Sequence, residues 1–292
     1  MRSVLLVPAD DEKGLARALA SEADAVIVDL EESVAQAAKE RARNIATEFL
    51  RAAALRAARP RLLLRINAID GGLADEDLDA AMAAAPEGVV LPKSRGGVSI
   101  QQLGVKLAVR EAEFGLGDGT TPIIAMATGN ARALFAMESY RGCSPRLEGL
   151  AWRREGLWAD LGAERARGSD DVHAGPIALA RNLTLLGAVA ADVAPIDAAY
   201  PDFSDDVGLR AEAVAARRDG FSAKMAIHPA QVAIINEAFT PSAEAQARAR
   251  AVVAAFAAAP DAGIVTLDGE MLNKAHKLRA ERALLRANPR GA

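Results

Sequence analysis

The sequence predicts a single α/β domain built as a TIM (β/α)8 barrel, followed by a C-terminal helical appendage. Three observations carry this. Eight short, almost continuously apolar runs alternate with Ala-rich helical stretches, the pattern of parallel strands covered on both faces. The 292 residues hold the roughly 250 that such a barrel needs, with a remainder at the C-terminal end. The chain is 51% hydrophobic but only 4% aromatic, so Ala, Val, Leu and Ile supply the core, which suits helices on a parallel sheet better than a β-sandwich. An open doubly wound sheet is the alternative. It loses ground because no GxGxxG follows a first strand and no GxxxxGK[ST] occurs.

The strands are expected at SVLLV (3–7), AVIVD (25–29), RLLLRI (61–66), GVVLP (88–92), PIIAM (122–126), LEGLAW (147–152), APIDA (194–198) and KMAIH (224–228). Helices are expected between them, for example Lys13–Ser21 and Val34–Leu55. After the eighth strand comes a turn at Thr240-Pro241-Ser242, where Ser242 is placed to cap a helix running to about Ala259. GIVTLDGEM and a basic helix from about Asn273 complete the chain. Residues 1–240 are thus read as the barrel and 241–292 as an extension that closes over a barrel mouth, its own or a neighbouring subunit's.

The formal charge is −4 and the basic residues are scattered among acids, which argues against nucleic acid as a partner. Cys143 is the only cysteine, so no intrachain disulfide forms and a reducing compartment is the natural setting. The opening MRSVLLVPADDEKG is too short an apolar run for a signal peptide, and no stretch approaches the roughly 20 apolar residues of a membrane span. A cytoplasmic protein without a membrane partner is expected.

In a barrel the site is built from loops at the carboxyl ends of the strands. Those ends carry Asp10, Asp29, Glu31, Glu32, Arg65, Asn67, Lys93, Thr128, Arg153, Arg154, Glu155, Asp197 and His228. Asp29 and Glu31 are either helix-capping acids or groups serving a substrate or metal. Arg65, if buried, must pair with an anion, and the reading favours a ligand carboxylate over a protein one because Asn67 follows two residues along, facing the same way. Lys93 is read as a structural ion-pair partner before a Schiff-base amine, and His228 as a structural histidine before a general base. The histidines at 173, 228 and 276 show no metal-binding spacing, so zinc is not expected.

RSVLLVPAD, ADAVIVDLEESV, LLLRINAID, GVVLPK, GFSAKMAIHPAQVAIINEAFTPS and LDGEML resemble, in order and spacing, the citrate lyase β-subunit-like acyl-CoA lyases of the HpcH/HpaI aldolase superfamily. The resemblance spans nearly the whole chain. It implies a trimeric or hexameric TIM barrel that makes or breaks a carbon–carbon bond beside a CoA thioester, with Mg2+ as cofactor. It implies that Arg65 binds the carboxylate of a keto or hydroxy acid; Asn67, Thr128 and Lys93, from their places at the strand ends, are the further substrate-binding candidates. Asp29, Glu31 and Glu32 would lie beneath the metal, and Asp268 would reach an active site, often a neighbour's, as acid/base group.

At two places the sequence departs from the resembled pattern. Aligned with an ALIET-like strand end, IIAMAT puts Ala127 where a metal-ligating Glu is expected. Aligned with GxEDLxxDLG, RREGLWADLG puts Gly156 where the Asp is expected. No bound metal is therefore predicted, with Glu155 as a candidate rescuing ligand. Arg153 and Arg154 would supply positive charge instead, as forked donors for an oxyanion or carboxylate, or else form a solvated pair. The function expected is a carbon–carbon lyase acting on a hydroxyacyl-CoA or related organic acid with altered or metal-independent chemistry. The alternatives are a non-catalytic acyl-CoA or organic-acid binding protein or partner subunit, and an acyl-CoA thioesterase.

Overall fold

The computed structural model describes residues 1–162 and 175–287. His173 lies outside the described residues. Eight parallel strands close into a barrel in sequence order: β1 (Ser3–Pro8), β2 (Ala25–Asp29), β3 (Arg61–Arg65), β4 (Val89–Leu91), β5 (Ile123–Met126), β6 (Leu147–Ala151), β7 (Ala194–Asp197) and β8 (Ala223–Ala226). Closure is made by β1 pairing with β8, Val4 opposite Met225. Each strand falls within two residues of the run the sequence marks for it.

The helices outside are α1 (Glu12–Leu19), α2 (Lys39–Ala54), α3 (Ala74–Ala81), α4 (Gly97–Glu113), α5 (Ala131–Leu134), α6 (Glu155–Leu161), α7 (Pro176–Ala190), α8 (Asp206–Asp219) and α9 (Ala230–Phe239). Local chemistry starts several of them. Asp11, Asn130 and Asp205 each accept a hydrogen bond from a backbone amide three residues on, satisfying a donor that the first helical turn leaves free.

Two apolar clusters follow from the period-two alternation of the strands. Val4, Ile27, Leu63, Val90, Ile124 and Met225 fill the barrel interior. Leu5, Val26, Leu64, Val89 and Ala125 face outward against the helices. This alternation decides which residue at a strand end looks into the mouth.

The appendage is α10 (Ala243–Ala258), β9 (Ile264–Leu267), β10 (Glu270–Asn273) and α11 (Lys274–Ala287). Ser242 caps α10 by accepting from the Ala245 amide, and Val252, Phe256, Val265 and Leu272 form the unit's own small core. Within its own chain the described part of this unit borders the floor of the barrel. Arg282, Leu285 and Arg286 of α11 share a cavity with Met1, Ala194, Pro195 and Ser222, all at the amino ends of strands.

Candidate functional site

Asp29 and Arg65 sit side by side because they occupy one rung of the β2–β3 ladder. The Arg65 guanidinium grips the Asp29 carboxylate with Nε and Nη2, both at 2.6 Å. Asp29 also accepts from the Glu31 amide and the Ser33 hydroxyl. Burial alone would push the Asp29 carboxyl up, but the Arg65 fork and these donors hold it below its ordinary value. The anion that Arg65 needs is thus a protein carboxylate, which corrects the preference for a ligand as its main partner. Only Nη1 remains turned to the mouth, 3.5 Å from Met126 Sδ and from Glu31 Oε2.

Glu31 is 3% exposed, and neither of its carboxylate oxygens has a hydrogen-bond donor. Three cations ring it at longer range: Lys93 Nζ at 3.3 Å, Arg65 at 3.5 Å and Arg153 at 3.6 Å. Glu32, half-exposed beside it, is clamped between Lys93 Nζ at 2.6 Å and Arg153 Nη1 at 3.0 Å. Burial opposes ionisation of Glu32, yet Lys93 and Arg153 together keep its carboxyl below the usual range. The same bond to Glu32 raises the Lys93 ammonium above its ordinary value. Lys93 is therefore protonated and ion-paired, unsuited to Schiff-base chemistry.

Arg65, Arg153, Glu155, Met126, Met225 and Leu6 line a cavity of about 160 Å³ at the carboxyl ends of the strands. Thr128 is 1% exposed and works on the backbone: its hydroxyl accepts from the Arg153 amide at 2.8 Å and donates to the Arg153 carbonyl at 3.0 Å. It fixes the loop that presents Arg153. Glu155 Oε2 lies 3.7 Å from Arg153 Nε.

Several residues predicted to meet here do not. Asn67 does not face the way Arg65 does: it donates to the Leu30 carbonyl and Asp77, and accepts from Lys39. Its neighbours are the loops after β2 and β3, where it borders a second cavity of about 270 Å³ with Glu31, Glu32 and Lys93. Arg154 points behind the barrel, 2.6 Å from Glu212 and over the Trp152 ring, within a buried network that includes Lys224 and Asp197. A catalytic position for Arg154 is thus corrected to a structural one. His228 stacks on Phe203 and accepts from the Ala230 amide. Asp268 is the first turn residue of the β9–β10 hairpin, with φ 51 followed by Gly269 at φ 80, and pairs with Arg248 at 2.6 Å. Asp-Gly in a two-residue hairpin needs no catalytic explanation.

Ala127 also needs correction. It is fully buried in the outward cluster that packs on the helices, so an acid there would face away from the mouth. The last residue of β5, Met126, is the one that faces the mouth, and Gly129, in the loop beyond it, borders a smaller space beside that mouth. Gly129 and Gly156 abut: a Cβ on Gly156 would lie 3.0 Å from the Gly129 carbonyl oxygen, and a Cβ on Gly129 would lie 3.0 Å from Lys93 Cα. With Glu32, Lys93 and Arg153 they surround a space of only about 30 Å³.

Mg2+ needs one or two carboxylates free to coordinate it. Here Asp29 is forked by Arg65, Glu32 is clamped by two cations, Glu31 is ringed by three, and the adjoining backbone carries no side-chain donor at Gly129 or Gly156. Among the described residues no group of three or more His, Cys, Asp or Glu is placed to hold a metal ion. The donor set does not fit a resident Mg2+.

The model of the HpcH/HpaI aldolase/citrate lyase family matches residues 2–229. The chain belongs to that family. It is 34% identical over 285 residues to a citrate lyase subunit beta-like protein of Mycobacterium tuberculosis, covering 97% of this chain and 94% of that one. It is 31% identical over 288 residues to a (3S)-malyl-CoA thioesterase of Cereibacter sphaeroides, covering 98% and 94%. The crystal structure of CitE from M. tuberculosis in complex with magnesium, acetoacetate and coenzyme A superposes with a TM-score of 0.75 at 31% identity, over 98% of each chain. No helix among the described residues is long and apolar enough to cross a membrane.

Proposed function

We propose that this family member makes or breaks a carbon–carbon bond beside an acyl-CoA thioester, in the manner of a malyl- or citramalyl-CoA lyase, with fixed side-chain cations doing the electrostatic work of a metal. The observation that carries the reading is the convergence of Arg65, Lys93 and Arg153 on the mouth, around a buried Glu31 that none of them hydrogen-bonds. The mouth cavity, about 160 Å³, is smaller than the roughly 300–1,000 Å³ of sites that enclose drug-sized ligands. It suits the acid fragment, with the CoA portion outside.

In the cleavage direction the β-hydroxyl gives up its proton, the carbon–carbon bond breaks with its electron pair moving onto the thioester, and a keto acid leaves. The enolate then takes a proton at carbon to give the shorter acyl-CoA. Arg153 is held by Thr128 where it can meet the developing oxyanion, and Arg65 Nη1 takes the acid carboxylate. The proton carrier proposed is Asp268 of a neighbouring copy in a trimer or hexamer, because in its own chain it stands on the appendage hairpin.

Thioester hydrolysis is the second reading, supported by the relative named as a malyl-CoA thioesterase. A non-catalytic binder is the third, supported by the way Glu32 neutralises both Lys93 and Arg153. One experiment separates them: incubation with malyl-, citramalyl- and citryl-CoA, with and without EDTA, following keto acid and free thiol separately. Keto acid released regardless of EDTA supports the metal-independent lyase, thiol without keto acid supports the thioesterase, and binding with neither product supports the binder. Keto acid that disappears with EDTA would overturn the metal-free chemistry.

A further inference from the structure

We propose that the floor of the barrel holds a second ligand site, opposite the mouth, which takes the phosphate end of an organic phosphate between α11 and the amino ends of β7 and β8. The cavity there measures about 410 Å³, within the range of sites that enclose a whole small molecule. Arg282 and Arg286 line it, with Val189, Val193, Pro195 and Leu285 as apolar wall. Arg217, in the last turn of α8, stands close enough for its charge to act on Arg286.

Among the described residues Arg217, Arg282 and Arg286 have no ion-pair partner, and the Nε atoms of Arg217 and Arg286 are buried without a hydrogen-bond acceptor. That separates them from Arg59 and Arg154, whose Nε atoms are also unsatisfied but whose other nitrogens hold Glu87 and Glu212. Burial, with Arg217 and Arg282 nearby, pulls the Arg286 pKa below its ordinary value. Two acids border the cavity, and neither answers the cluster. Glu148 is gripped by both terminal nitrogens of Arg61, and Asp192 is exposed to solvent. The two forked donors that line the cavity, Arg282 and Arg286, have no acid partner and match a phosphate, which accepts several hydrogen bonds and carries up to two charges, with Arg217 adding positive charge beside Arg286. The apolar wall asks for an organic body, which inorganic phosphate lacks. This site also gives a role to the basic C-terminal helix, which the chemistry at the mouth leaves unused.

The test is calorimetric titration of the full chain at low ionic strength with phenyl phosphate and with inorganic phosphate. Saturable binding of phenyl phosphate, tighter than that of inorganic phosphate, is expected. Arg282→Gln with Arg286→Gln should weaken it by about ten- to a hundredfold, the loss that goes with hydrogen bonds to charged groups. Val189→Trp, which fills the cavity from its rim without altering an arginine, should weaken it too. Arg153→Gln at the mouth should leave it unchanged, and the thermal midpoint of each variant confirms that it is folded. No saturable binding to the parent chain overturns the proposal. So does binding lost in Arg153→Gln but kept in the floor variants, which would place the phosphate at the mouth.

Discussion

Placing acids at Gly129 and Gly156 tests the account of why the donors at the mouth do not suit a divalent cation. Neither glycine has a positive φ, so their backbone admits any L residue and only space opposes a side chain. Each new Cβ would meet backbone atoms at 3.0 Å, Lys93 Cα in one case and the Gly129 carbonyl in the other. Because backbone must give, Gly129→Glu with Gly156→Asp should cost about 1–3 kcal/mol, the usual penalty of overpacking. At about 2–4 °C per kcal/mol for a chain of this size, the thermal midpoint should fall by roughly 2–12 °C.

Magnesium should then return part of it, since a ligand at about 100 times its Kd stabilises by about 2.7 kcal/mol. The assay is thermal unfolding with and without MgCl2, supported by calorimetric titration of the metal. The parent chain should not respond to the ion. The control pair, Ala127→Glu with Gly156→Asp, puts one acid among apolar helix contacts and should lose stability without gaining metal affinity. Magnesium binding by the control pair but not by the Gly129 pair would refute the outward placement of Ala127. Equal magnesium stabilisation of the parent would refute the claim that its donors do not fit the ion.

Arg153→Gln should lower kcat about 10²- to 10³-fold with little change in KM, as for loss of one preorganised oxyanion donor; an unchanged kcat makes Arg153 a rim ion pair. Arg65→Met leaves Asp29 buried without its partner and should cost about 3–5 kcal/mol by denaturant titration, together with loss of pyruvate or oxaloacetate affinity. If Asp29→Asn restores stability to that variant but not affinity, the two roles of Arg65 separate. Acid stability should follow Glu111, which is buried against the Arg146 fork with the Thr121 and Gly119 amides donating to it. Burial would raise its carboxyl, but Arg146 and the amides bring it down to about 2. A folded-state value below the unfolded one, near 4.3, gives stability that is complete above that pH and lost as pH falls toward about 2. The thermal midpoint of Arg146→Met should start lower and change less over that window; an identical acid limb would assign it to other carboxylates.

The strands were readable because their neighbours cover both faces, so the runs at Ala25–Asp29 or Arg61–Arg65 stand out as unbroken apolar sequence ending in charge. What each end residue faces was harder to read, because the chain leaves the regular alternation there. Ala127 and Gly129 are two apart, yet one packs outward and the other borders the small space beside the mouth, beyond the end of β5. Arg153 and Arg154 are adjacent and take opposite directions, one to Glu32 and the other to Glu212. Asn67 was misplaced because its partners, Lys39 and Asp77, come from helices whose approach no local pattern encodes. The appendage was legible as two helices joined by GIVTLDGEM, which the structure folds as a hairpin, but the face of the barrel it meets depends on contacts between distant segments.

On the reading proposed for the mouth, the two missing acids and the missing metal belong together. A divalent cation with two carboxylates is neutral as a set, so removing all three leaves the local charge unchanged, whereas removing one acid alone would leave the ion under-coordinated and the site more positive. What such a removal would leave is a void beside Glu31 and Glu32, whose negative charge is the same before and after and needs side-chain cations in either case. Lys93 and Arg153 answer that charge at 2.6 and 3.0 Å from Glu32, and the Gly129–Gly156 contact takes up the room. The exchange has a chemical consequence. An ammonium or guanidinium donates hydrogen bonds in fixed directions but cannot admit a substrate oxygen into a coordination shell. Substrate must therefore compete with Glu32 for the same donors, and Glu32→Gln should tighten binding of small carboxylates such as pyruvate by calorimetry. Weaker binding in that variant would mean that Glu32 holds Arg153 in its working position and does not block it.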